Sequence, residues 1–182
     1  MRLSIFFVML LALTGCSGSA TLSIRSDTAI IQPTVRTAVY RFVDQNTADV
    51  YLSDFPPNTI VDRLTAIEGE PGTIVHIHVF LAPQAGKTPI DFTASNAALK
   101  CIVLSGRSMG VYGGGGFVLP ASTLGDISFG ARVREATVRL VSSREGFADR
   151  LGNGWVEGNI EARRDDELAG EISSGLTRLL LR

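Results

Sequence analysis

His76 and His78 are the only histidines in the 182-residue chain, and they stand one residue apart in Thr73 to Leu81 (TIVHIHVFL). Residues two apart on a strand share a face, so both imidazoles point to the same side. That is half of a metal site. Imidazole suits zinc, copper and nickel, but two histidines need a carboxylate to complete the ligand set. Asp91, the first acid after them in the chain, is the candidate. The competing reading puts Val75, Ile77 and Val79 on the core and both rings on solvent or the polar side of a sheet. The sequence favours this second reading, with no bound cofactor.

Gly106-Arg107-Ser108-Met109-Gly110 fits the G-x-S-x-G pattern of a nucleophile elbow. An elbow needs a strand before the serine, a helix after it, and a histidine later in the chain. Here Val111-Tyr112 and four glycines follow, and both histidines lie upstream. A serine hydrolase at Ser108 is therefore not expected, nor any other catalytic residue. Gly113 to Gly116 lack the Lys and Ser/Thr of a phosphate loop. Such a run serves a hairpin, a bulge or the close approach of another segment. Asp165-Asp166-Glu167 lack the regular oxygen spacing of a calcium loop and suit a helix N-terminus instead.

The elements that hold these residues read as strands. Thr34 to Val43 and Ala48 to Leu52 flank the turn residues Asp44-Gln45-Asn46, and Asp49 and Tyr51 face away from Ala48, Val50 and Leu52. Consecutive prolines, Pro56 and Pro57, end that run. Thr73 to Leu81, Ala98 to Ser105, Gly116 to Leu119, Arg132 to Ser142 and Trp155 to Arg163 follow, separated by turn signals. Many short strands without intervening helices predict a mainly β, antiparallel sandwich or barrel-like domain. The tail differs: Leu168, Ile172, Leu176, Leu179 and Leu180 share one face of a helix opened by the acid cluster.

Seventeen Lys+Arg against eighteen Asp+Glu leave no basic footprint, which argues against a nucleic-acid partner. The two cysteines are Cys16 and Cys101. Cys101 lies in an apolar run and reads as a buried, inert thiol.

The N-terminus carries the most specific pattern. Arg2 precedes an apolar stretch from Ile5 to Leu13, too short for the roughly 20 residues of a membrane span. It closes with Leu13-Thr14-Gly15-Cys16, which resembles the lipobox of bacterial lipoproteins. The resemblance implies removal of residues 1–15, a diacylglyceryl group on the Cys16 thiol and an acyl group on the new amino terminus. Ser17, where an Asp would signal retention, implies transfer to the outer membrane, facing the periplasm or the exterior. Residues 16–20 are then the lipidated Cys and a short linker, and 21–182 a single domain. The expected role is that of a non-enzymatic interaction or structural module of the cell envelope, with an envelope protein as a further partner. The alternative is a small-ligand or metal-binding lipoprotein using His76 and His78.

Overall fold

The computed structural model describes residues 19–66, 69–82, 95–144 and 146–181. Cys16, the signal segment and Asp91 lie outside them. Within them the chain is mainly β, with strands β1 (Ser19–Arg25), β2 (Ile30–Ile31), β3 (Thr37–Phe42) and β4 (Ala48–Ser53), then helix α1 (Pro57–Thr65). Strands β5 (Gly72–Val79), β6 (Ala97–Ser105), β7 (Ser108–Pro120), β8 (Ser128–Arg144) and β9 (Gly154–Arg164) follow, and helix α2 (Asp166–Leu181) ends the fold.

The strands form one nine-stranded sheet that curls until its ends meet. From β3 to β9 each strand is antiparallel to the next. β9 then returns to β3 through a short parallel contact, Val39 opposite Arg163 and Tyr40 opposite Arg164. β1 runs antiparallel along the rest of that edge of β9, and β2 extends it. The expected mainly β fold thus takes the barrel-like form. Its interior is filled by side chains, among them Ile24, Tyr40, Ile77, Leu99, Tyr112 and Phe129. The Tyr40 hydroxyl donates to the carbonyl of Asp126.

Cys101 faces this interior at 1% exposure, and burial pushes its thiol up to about 12. An inert thiol follows.

A second apolar cluster lies outside the barrel, where α1 and α2 cover β3 to β7. Val39, Tyr51, Ile74 and Ile102 meet Ile60 and Leu64 of α1 and Ile172, Leu176 and Leu179 of α2. Burying three such aliphatic side chains of α2 stabilises by about 1.5–3 kcal/mol each. That exceeds the roughly 1 kcal/mol that Gly170 and Gly175 each take from helix propensity. Asp165 caps α2, its side chain accepting from the Leu168 amide at 3.1 Å.

Three elements depart from the sequence reading. Ser19 and Ala20, expected in a linker, already pair with Glu161 and Ile160 in β1. The prolines that end β4 also begin α1: Pro57 occupies its first turn, where a missing amide proton is no loss. The strand expected at Gly116 to Leu119 extends back through all four glycines to Ser108.

Candidate functional site

His76 and His78 belong to a larger polar cluster on the outer wall of the barrel. On β5, Val75, Ile77 and Val79 enter the core while His76 and His78 face outward. On β4, Asp49 shares that outer face because Ala48, Val50 and Leu52 take the inner one. Register then brings the groups together: Asp49 stands opposite His78 on one side and opposite Arg41 of β3 on the other. One row of three strands delivers cation, carboxylate and imidazole.

Asp49 Oδ1 accepts from His76 Nε2 and from His78 Nδ1, both at 2.9 Å. Its Oδ2 accepts from Arg41 Nη2 at 2.8 Å. Burial alone would raise the Asp49 carboxyl, whose side chain is only 9% exposed. The hydrogen bonds from His76, Arg41 and His78 outweigh that and hold it well below the usual carboxylate range. An ionised carboxylate can only accept, so each ring must donate to it. This fixes the neutral tautomers as Nε2–H on His76 and Nδ1–H on His78 and leaves lone pairs on His76 Nδ1 and His78 Nε2.

The helical layer steadies the same cluster. Tyr51 is 1% exposed and stacks on the His76 ring, with centroids 4.7 Å apart and planes within 7°. It packs in the outer apolar cluster with Ile172, Leu176 and Leu179 of α2, and burial raises its ionisation above the ordinary value. Thus α2 holds Tyr51, Tyr51 holds His76, and Asp49 ties His76 to His78 and Arg41. Lys100, opposite His76 on β6, adds an exposed cation beside the cluster.

Chemically, this arrangement orients two imidazoles and neutralises one arginine. Carboxylates that accept from the non-ligating nitrogen of a histidine are the usual partners of metal-bound imidazole, so Asp49 supports the rings rather than completing a ligand set. Among the described residues, no group of three or more His, Cys, Asp or Glu is arranged to hold a metal ion. The cluster is electrically balanced when both rings are neutral, apart from Lys100. Protonation of either ring makes it a cationic patch.

The other sequence candidates lie elsewhere. Ser108 opens β7 directly after the two-residue turn Gly106-Arg107, so a strand follows it in place of a helix. It stands opposite Ser105, five residues along β6 from the partner of His76, or about 17 Å at strand spacing. Ser108 and the histidines are therefore not brought together. Gly113 to Gly116 lie within β7, where the register shifts between Gly115 and Phe117. Asp165 and Asp166 pair with Arg163 and Arg164 at 2.9 and 3.0 Å at the start of α2.

Arg41, Asp49 and Tyr51 were not singled out from sequence for chemistry. The outward placement of Asp49 and Tyr51 was visible in the alternation of β4, but not the identity of the neighbouring strand. Comparison with protein-family models, with curated proteins and with solved structures found no match.

Proposed function

We propose that the chain is a lipid-anchored protein of the bacterial envelope, acting as a non-enzymatic interaction or structural module. The reading starts from Leu13-Thr14-Gly15-Cys16 at the end of a short apolar signal. The observation that carries it furthest is that β1 begins at Ser19, three residues after Cys16. A cut before Cys16 would leave every described element of the fold in place. Diacylglyceryl and N-acyl chains on Cys16 then hold the protein at the membrane, since stable anchoring takes two chains where one is marginal. The filled barrel interior fits a module that works through its surface. The outer membrane, with the domain facing the periplasm or the exterior, is the proposed location.

Replacing Cys16 by Ser tests this directly. The variant is expected to take up no labelled lipid, to stay uncut by the lipoprotein peptidase, and to lose the mature membrane-bound species. Normal cutting with retention in the membrane fraction and no lipid would overturn the reading.

Small-ligand or metal binding at His76 and His78 is the second reading, favoured by the shared acceptor Asp49, which presents a lone pair on each ring. Binding there would require neutral rings, so it would weaken as they protonate, and would raise the melting temperature by binding the native state alone. The module reading expects Zn²⁺, Cu²⁺ or Ni²⁺ to shift the melting temperatures of wild type and of His76→Ala/His78→Ala equally. Stoichiometric, pH-dependent stabilisation of the wild type alone would establish the second reading.

A further inference from the structure

We infer that the barrel mouth carrying Val43, Phe80, Leu81 and Ile127 rests on the phospholipid bilayer. The inference deepens the anchor reading and rests on it. It follows from where the chain leaves the sheet. Ser19 stands opposite Glu161 of β9, and on the other side of β9 Glu161 stands opposite Gly130 of β8. β1 and β8 therefore run in the same direction at the same level. Three residues before Gly130 is Ile127, about 10 Å further along at strand spacing. Three residues before Ser19 is Cys16, at most about 11 Å away by the reach of the chain. A lipid on Cys16 thus holds the headgroup level within reach of this mouth.

The same mouth gathers exposed apolar side chains. Ile127 is 84% exposed, Val43 47%, Phe80 45% and Leu81 44%. Hydrogen bonds link them around one rim. The Arg164 amide donates to the Ile127 carbonyl at 2.7 Å, and the Arg164 guanidinium donates to Gly125 and lies over the Phe42 ring, next to Val43. The Ala82 amide donates to Asn46 of the turn after Val43, and Asn96 donates to the Leu81 carbonyl. Single exposed apolar residues are ordinary, but several on one rim mark a contact surface. The other strongly exposed ones sit apart, Val141 among them near the far end of β8, whose start lies at the apolar mouth. Ile30 follows the end of β1 at the opposite mouth, about 20 Å away along a seven-residue strand. Leu181 ends α2, whose sixteen residues start at the apolar mouth and run about 24 Å.

Charge narrows the kind of contact. Among the described residues the rim carries Asp44, Asp126, Asp165 and Asp166 beside Arg163 and Arg164, which form no basic collar for anionic headgroups. Apolar side chains entering the interface are the remaining attraction, and zwitterionic lipid suffices.

The test uses the full chain, produced with its signal in a Gram-negative host and reconstituted in phosphatidylcholine vesicles. Ile127→Cys, Leu81→Cys and Ile30→Cys are labelled one at a time with a thiol fluorophore; buried Cys101 does not compete. Quenching by phospholipids brominated near the headgroup is expected to be several-fold stronger at positions 127 and 81 than at 30. Intact mass reports whether Cys16 carries lipid. Equal quenching at all three positions with the lipid present overturns the membrane-facing mouth and leaves the anchor standing. An unmodified Cys16 overturns the anchor reading and the proposed orientation with it.

Discussion

Gly114→Ala is expected to destabilise the domain by more than about 3 kcal/mol, because the clash is with backbone that no side-chain movement relieves. Gly114 pairs with Leu99 on β6 and with Val138 on β8. A Cβ there would lie 1.8 Å from the Thr137 carbonyl oxygen, 2.8 Å from its carbon and 3.0 Å from Val138 Cα. All three are backbone atoms, so relief requires β7 and β8 to part and lose ladder hydrogen bonds. Gly158 repeats the pattern across β9 and β1: its φ is +149°, and its Cβ would lie 1.9 Å from the Thr21 carbonyl oxygen. Gly170→Ala is the control, since nothing lies within 4 Å of its Cβ and the site is helical. It should stabilise by up to about 1 kcal/mol. Urea unfolding followed by far-ultraviolet dichroism measures all three; a Gly114→Ala midpoint equal to that of wild type would show that the strands separate without penalty.

The glycine run illustrates what a sequence can hold without disclosing. Close approach of another segment is a property of Gly113 to Gly116 that composition suggests, but the segment that meets Gly114 and Gly116, Ala136 to Val138, is fixed only by long-range register. The same limit governs the candidate site. That His76 and His78 share an outward face follows from Val75, Ile77 and Val79, and that Asp49 and Tyr51 face away from the core follows from Ala48, Val50 and Leu52. Neither fact places Asp49 beside the rings, because a one-residue slip between β4 and β5 would send it to the opposite face of the sheet. The C-terminal helix was legible because five leucine and isoleucine positions repeat at helical spacing. α1 was not, although Ile60 and Leu64 stand four apart after Pro57, because two prolines after a strand read first as its terminator. β1 is short and rich in Ser and Thr, and only Leu22 and Ile24 of it reach the core. Barrel closure rests on two parallel pairs between β3 and β9, strands more than a hundred residues apart, and no local pattern announces it.

Asp49→Ala is expected to lower stability at pH 7 by about 3 kcal/mol, the order measured when one partner of a shielded ionic network is removed. The variant deprives His76, His78 and Arg41 of their common acceptor at once. Asp49→Asn should lose less, since its amide oxygen can still accept from one ring. The pH dependence separates a lost charge from lost packing. The Asp49 carboxyl is held below its unfolded value by the three donors, which outweigh its burial. The folded state therefore releases this proton more readily than the unfolded one, and the resulting stability is complete above the unfolded value of about 4. It disappears as pH falls through the lower, folded value. Chemical unfolding measured from about pH 5 downward should show the gap between wild type and Asp49→Ala closing as the solution becomes more acidic. If the gap stays constant into strong acid, Asp49 contributes by packing alone, and the carboxylate does not set the tautomers of His76 and His78.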